Sequence, residues 1–454
     1  MSLGGFSSYE EYLSAALELL KSYQWIFRHK NTDILTENVL TNFPPHWTEY
    51  FNQLSTDDLH RIILGETRGD TPEDLKEFFE TIRSLSLESD KGGGSPSDCP
   101  RISGLSRKKA HEIALLAPVI HEICESTGCD LIVDVGSGIG HLPHLLHDKY
   151  NYPILALEAS KKLVETAQMH QSKLHPKSKA NVIFREFYVT ESSAQSIENL
   201  VKTHFGPDKK ICLTGLHACA DLTVEVLKLF EKLQNGHAMV IMPCCYHRMT
   251  DDVNYFKCFP CSAICKQLFD KYDSSKFIGR PFLRLACQQT VRSYVTMSRE
   301  EHERRGRLCM QRALLQLVAE MENCSVRRLK RKSGKSDATD SDEGFEAYLN
   351  NLPRTHRLVR RDDGQPTDYH RQQQLFSIKM REKWNEKHKN DCWAAEVLTG
   401  LQAAIQSVCE NVILLDRVAF LKEMGIHCCT RKITNDSISP RCWALIALKN
   451  VRVQ

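Results

Sequence analysis

Residues 131–140, LIVDVGSGIG, constrain the fold more than any other ten residues of this 454-residue chain. Four of the first five are apolar, which predicts a strand buried on both faces, interrupted only by Asp134. The strand runs into Gly136, Ser137, Gly138, Ile139 and Gly140. A turn this rich in glycine lets the backbone approach a ligand that a Cβ would obstruct. The helix it opens, expected over residues 141–150, would aim unpaired N–H groups at an anionic or polar group. Eighteen residues after Gly140, the run 153–158 (PILALE) predicts a second strand that ends in the carboxylate of Glu158. An α/β nucleotide fold puts there the acid that accepts hydrogen bonds from ribose hydroxyls. Strand, turn, helix and strand-ending acid together predict an adenosine-containing cofactor.

The spacing selects among such cofactors. A dinucleotide fingerprint reads G-x-G-x-x-G/A, with a pyrophosphate held at the helix end. Here the turn reads G-x-G-x-G and the bulky His141 follows it. Asp134, two residues ahead of the turn, would oppose a pyrophosphate but suits the α-ammonium of a methionine moiety. The expected cofactor is therefore S-adenosylmethionine, held by Asp134, Gly136, Ser137, Gly138, Gly140 and Glu158. The bland alternative is a glycine turn in a fold that binds nothing.

Around this core the chain alternates strands and helices. A helix is expected over residues 110–127 and another near 161–172, with strands over 180–189, 210–216 and 237–243; this pattern predicts a parallel doubly wound sheet. Residues 9–90 carry helical periodicity, with Trp47, Tyr50 and Phe51 as a core anchor beyond the Pro44–Pro45 break. The run GGGSP at 92–96 reads as a linker. After about residue 248 the pattern loosens into a helix over 300–322 and a basic run, RRLKRKSGK at 327–335, followed by acidic, Ser-rich sequence, a disordered segment over 327–346. A long helix over 393–425 and strands over 427–433 and 443–449 close the chain.

A net charge of +3 is too small to imply a nucleic-acid partner without local clustering. No apolar run approaches the roughly 20 residues of a membrane span, and the N-terminus lacks the pattern of a secretory signal. Eighteen cysteines without such a signal imply free thiols in a reducing compartment, cytoplasmic or nuclear or both.

Two loops at the carboxyl ends of strands four and five concentrate reactive groups: GLHACADL at 215–222 and PCCYHR at 243–248. They bring His217, Asp221, Cys244, Cys245 and Tyr246, with Cys219 and His247, toward the transferred group. His217 or Asp221 could act as general base. Cys244 or Cys245 could add covalently to a pyrimidine. A zinc site is a third reading, with Cys258, Cys261 and Cys265 nearby, but no spacing repeats as a paired C-x2-C module, so no metal ligand is assigned. A fourth reading makes the cysteines small apolar packers and Tyr246 a lid on adenine.

The segments VDVGSGIGHL, LTGLHACADLT and MPCCYHRMT, with SRKKAHEI at 106–113, ILLDRVAFLKEMG and SPRCWALIALK, resemble the methyltransferase-like protein 25 family, proteins that carry a ribosomal RNA adenine dimethylase domain. Similar H-x-C and C-C-[YH] loops occur in a family of tRNA ribose 2′-O-methyltransferases. The resemblance implies an α/β, Rossmann-like seven-stranded methyltransferase sheet, with an N-terminal helical domain and a helical insertion before the last two strands. The implied boundaries are 1–91 for the helical domain, 92–104 for the linker, 105–250 and 405–454 for the methyltransferase domain, and 251–404 for the insertion. It also matches Lys108, Lys109, His111 and Glu112 to a K-K-x-H-E element ahead of the first strand, which would make His111 part of a cofactor lid. Where adenine amino-methylating enzymes carry N-[LIP]-P-[YF], this chain reads His-Ala-Cys-Ala-Asp.

The expected methyl acceptor is RNA, from that similarity and from basic patches at 107–109, 327–332 and 356–361 (HRLVRR), which would contact phosphates without reading sequence. A protein acceptor, or a non-catalytic scaffold that binds RNA or a partner protein, are the alternatives. Neither DNA nor a membrane is an expected partner.

Overall fold

The computed structural model describes residues 3, 5–87, 105–288, 290–329, 344–385 and 391–449. Its strands are β1 (Leu131–Val135), β2 (Ile154–Glu158), β3 (Val182–Glu186), β4 (Ile211–Cys219), β5 (Gly236–Cys244), β6 (Cys324–Arg328), β7 (His356–Arg360), β8 (His427–Lys432) and β9 (Trp443–Leu448). Seven form one sheet in the order β3-β2-β1-β4-β5-β9-β8. Strands β1 to β5 are parallel, and β9 lies antiparallel to both β5 and β8. This is the Rossmann-like methyltransferase sheet, with its last two strands supplied from the far end of the chain.

All five residues of β1 are buried because helices cover both faces of the sheet. Ile132, Ile154, Val182, Phe184, Val240 and Ile446 pack on one side with helices Arg107–Thr127, His141–Tyr150 and Lys161–Leu174. Val133, Leu155, Leu213, Met239 and Leu445 pack on the other with helices Ala194–Phe205 and Leu222–Lys232 and with Leu414, Val418 and Leu421. The chain reverses direction across the sheet between β1 and β4, the switch point where such folds bind ligands.

The described chain divides into two compact units, and the division differs from the expected boundaries. The first unit holds residues 1–22, 81–292 and 406–454; the second holds 23–80 and 293–405. The first helix, Tyr9–Ser22, therefore belongs with the sheet rather than with an N-terminal helical domain. Its apolar stripe explains this: buried Tyr12 donates its hydroxyl proton to the Leu85 carbonyl and accepts from Asn411 Nδ2 at 2.9 Å, and Ser14 bonds Tyr272 at 2.6 Å. The expected insertion likewise loses residues 251–292 to the first unit.

In the second unit Trp47, Tyr50 and Phe51 are buried, and Trp47 packs with Tyr23, Trp25 and Phe78 while its indole N–H donates to Asp74 at 2.9 Å. A buried ionic group joins two of its helices, Arg299–Met321 and Asp391–Glu423: Glu396 takes His302 at 2.5 Å and Arg305 at 2.6 Å. Both ends of the stretch 327–346, expected from composition to be disordered, are ordered. Arg327 and Arg328 complete β6, which pairs with β7, and Phe345 opens the helix Phe345–Thr355. Residues 330–343, and the expected linker 92–104, lie outside the described residues. One helix, Asp391–Glu423, is long and apolar enough to cross a membrane, contrary to the expectation from sequence, and 83% of its most apolar window is buried inside the protein.

Gly140 shows why this turn needs glycine. Its φ is +88°, and a Cβ there would sit 2.4 Å from the ring of Phe184 on β3. Gly140→Ala is expected to cost about 2 kcal/mol or more, from over-packing and left-handed strain together. Urea or guanidinium unfolding of the variant measures this; an unchanged midpoint would show that the Phe184 ring yields freely.

Candidate functional site

At the carboxyl ends of β1, β2 and β4 a cavity of about 410 Å³ opens, within the range of roughly 300–1,000 Å³ of small-ligand pockets. Val135 and Gly136 form its floor, Leu157 to Ala159 and Phe187 to Thr190 one wall, and His217, Asp221 and Leu222 the other. Glu225, Thr250 and Lys257 complete the rim.

The turn is held from beneath and from the side. Gly136 and Ser137 donate their N–H groups to the Leu157 carbonyl at 2.8 and 3.1 Å. Glu158, closing β2, accepts from Gly138 N through Oε2 and from Ser160 N through Oε1, both at 3.0 Å. One carboxylate thereby ties the glycine turn to the start of the next helix. Asp134 is 2% exposed, and burial, with the charge of Glu158 adding to it, pushes its carboxyl up to about 8. Among the described residues no basic side chain pairs with either acid, and the buried Ser137 Oγ has no partner. Two confronted carboxyls and an orphaned hydroxyl beside an open cavity fit a ligand that brings its own positive charge and hydrogen-bonding groups. S-adenosylmethionine would bring both: Asp134 would hold its cationic methionine end and Glu158 its ribose hydroxyls.

The second half of the site comes from an irregularity in β4. The strand does not end at residue 216 but continues to Cys219, with one extra residue between Gly215 and Ala218 relative to β5. Such bulges re-aim side chains beside active sites. Here it sets His217 against the cavity, half-buried, with its Nε2 3.3 Å from Glu112 Oε2 and its buried Nδ1 unpartnered. Glu112, fully buried on helix Arg107–Thr127, also accepts from Ser439 Oγ at 2.6 Å. Burial alone would raise its carboxyl, but His217 and Ser439 hold it below the ordinary glutamate value. Asp221 accepts from Thr250 N at 3.0 Å and Thr250 Oγ1 at 2.6 Å through Oδ2, which leaves its buried Oδ1 unpartnered. His217 backed by Glu112 is a base–carboxylate pair, the arrangement that lets an imidazole take a proton and hold it.

The remaining expected residues separate into distinct environments. Cys244 closes β5 directly opposite Cys219, with their Sγ atoms 3.1 Å apart. Cys245, in the left-handed region at φ +52°, joins them, and Arg441 Nη2 lies 3.6 Å from its sulfur. The thiols of Cys219 and Cys244 facing it, and then Arg441, hold the Cys245 thiol well below its ordinary value. Tyr246 does not cover the cavity, as a lid on adenine would. It is 1% exposed, its hydroxyl faces Glu410 at 3.4 Å, and Arg417 lies over its ring, because the turn after Cys245 sends it into the core. His247 meets Cys287 Sγ at 3.1 Å. His111 is not a lid residue either: it is fully buried and accepts from Asn435 N at 3.2 Å, which anchors the loop ahead of β9. Cys258, Cys261 and Cys265 do not join the Cys244 group; Cys261 is held by Asp416, which accepts from its N–H at 2.9 Å.

Gly136, Glu158, His217 and Asp221, on the floor and both walls of the cavity, were legible in the sequence; Phe187 to Thr190 and the rim were not. Glu225 and Lys257 carry no motif, Thr250 only closes the MPCCYHRMT segment, and the placement of His217 against Glu112 depends on a bulge that no periodicity reveals. Ser439 and Arg441 lie in a segment whose resemblance was visible but whose position was not.

A methyltransferase-domain family model matches residues 108–252. A human protein named "Probable methyltransferase-like protein 25" is 23% identical over 292 residues, 62% of this chain and 43% of that protein. The chain thus spans less than half the length of the curated relative it matches. The structure of coclaurine N-methyltransferase bound to N-methylheliamine and SAH aligns over 96% of this chain and 98% of its own, with 12% identity and a TM-score of 0.23. Residues 108–252 thus match a methyltransferase-domain model and build five parallel strands of the sheet and most of the acid-lined cavity, in a chain similar to methyltransferase-like protein 25.

Proposed function

We propose that this chain transfers the methyl group of S-adenosylmethionine to RNA in the cytoplasm or nucleus. The observation that carries the catalytic part is the Glu112–His217 pair on the wall of the cavity whose floor is the glycine turn. The cofactor supplies an electrophilic methyl on a sulfonium. His217 takes the proton of the attacking acceptor, and the Glu112 carboxylate stabilises the imidazolium that results. Asp134 and Glu158 hold the donor's cationic and ribose groups.

The RNA part is supported by how the basic runs fold. The runs at 327–328 and 356–361, far apart in sequence, join in the β6–β7 ribbon, with Arg327 opposite Arg357 and Arg328 opposite His356. Lys108 and Arg441 add positive charge beside Glu112. A ribbon of arginines suits phosphate contacts, which position a nucleic acid without reading its bases.

His217→Ala is expected to lower kcat by about 10²–10⁴-fold while S-adenosylmethionine still binds. Retained turnover in single-turnover assays would remove His217 as the base.

Asp134 predicts a pH dependence. Its raised carboxyl is largely protonated at neutral pH in the unliganded protein, and a bound cation favours the ionised form. Affinity for S-adenosylmethionine should rise with pH by up to about tenfold per unit toward pH 8 and level off above it. The same shift makes the unliganded fold lose stability as pH rises through about 8. Calorimetry from pH 6 to 9 checks the affinity, and Asp134→Asn should flatten the curve; a flat wild-type curve would place the donor's cation elsewhere.

Labelled S-adenosylmethionine incubated with the protein and cell extract tests the acceptor: label lost to RNase supports RNA, label lost to protease assigns a protein, and no label leaves the scaffold. RNA affinity should fall steeply with salt, and Arg327→Ala with Arg357→Ala should make that slope shallower by about two phosphate contacts. A salt-independent affinity would argue against phosphate binding.

A further inference from the structure

We propose that Cys219, Cys244 and Cys245 form a binding site for one thiophilic divalent cation such as Zn²⁺. The sequence offers no metal module here, because the residues come from the ends of two strands and one is a neighbour in the chain. The fold supplies the geometry that spacing hides. Parallel pairing of β4 with β5 puts Cys219 directly opposite Cys244 and brings their Sγ atoms to 3.1 Å. The left-handed backbone at Cys245, φ +52°, turns the chain so that its sulfur joins the other two. All three sulfurs lie within 4.8 Å of one another. Sulfurs bound tetrahedrally at about 2.3 Å from one zinc ion stand roughly 3.8 Å apart, so the observed spacings bracket that arrangement.

Charge and softness favour the same occupant. Three thiolates around a divalent ion carry one net negative charge, and the Arg441 guanidinium 3.6 Å from Cys245 Sγ balances it. Cys244 is buried and Cys219 and Cys245 are half-buried, and an all-sulfur set selects a soft cation over magnesium or calcium. A disulfide between Cys219 and Cys244 would leave Cys245 without a role in the group. A bound ion instead employs all three, and it would clamp the end of β5 to the bulged end of β4 that presents His217. The proposal does not depend on what the methyl acceptor is, and it withdraws Cys244 and Cys245 as free covalent nucleophiles.

The full chain, purified with a non-thiol reductant, is titrated with Cd²⁺ as a spectroscopic stand-in and with Zn²⁺, then desalted and analysed for metal. Expected are one retained ion per chain and a cadmium–thiolate charge-transfer band. Cys244→Ser and Cys245→Ser should each weaken binding at least tenfold, whereas Cys309→Ser should leave it unchanged. Should a serine variant fail to fold by circular dichroism, the wild-type chain decides. Bound Zn²⁺ should protect Cys219, Cys244 and Cys245 from alkylation, as read by peptide mass spectrometry. Metal-free protein after desalting, equal alkylation of the three thiols with and without Zn²⁺, or a Cys219–Cys244 disulfide recovered from the reduced preparation would each overturn the site.

Discussion

Taking the carboxylate of Glu112 out of water would be costly in isolation, on the order of several kcal/mol for a buried ion. The protein compensates it with Ser439 at 2.6 Å and His217 at 3.3 Å. The acid and its two partners come from three separate places: the helix ahead of β1, the bulge in β4 and the loop ahead of β9. The His217 imidazole is therefore oriented only once the first and last parts of the domain have met. Arg441, next to the same loop, extends this dependence to the cysteine group. The cavity wall and completion of the sheet are thereby coupled through one buried acid.

The cofactor half of the site works by the opposite means. Burial first, and then the neighbouring charge of Glu158, keeps Asp134 protonated near neutral pH, and neither acid has a basic partner among the described residues. A cationic ligand would supply the charge that lets Asp134 ionise, so the empty pocket favours cations over neutral or anionic nucleosides.

Much of this was legible in the sequence, for identifiable reasons. The β1 strand, the glycine turn, the His141 helix and Glu158 follow from local patterns in which burial and turn chemistry agree. The seven-stranded sheet followed from alternation of elements and from resemblance. What escaped depends on contacts between distant segments. His217 was expected on a loop and sits on a bulged strand, a one-residue irregularity that leaves no trace in hydrophobic periodicity. Tyr246 looked like a lid because it follows two cysteines at a strand end, yet a single left-handed residue turns it into the core. The first helix was grouped with its neighbours in sequence, although Tyr12 and Asn411, 399 positions apart, bind it to the sheet unit. Domain boundaries set by composition cannot register a helix whose partner lies at the other end of the chain.

The pairing of β5 with β9 has a consequence for synthesis. Ile241 meets Leu445, so roughly 200 residues must be translated after β5 before its open side is covered, a wait of about 10–40 s at ordinary elongation rates. During that interval Ala238 to Ile241 form an apolar strand with an unsatisfied hydrogen-bonding edge, the kind of surface that recruits other chains. The residues made between β5 and β9 therefore set how long that edge stays open in a nascent molecule.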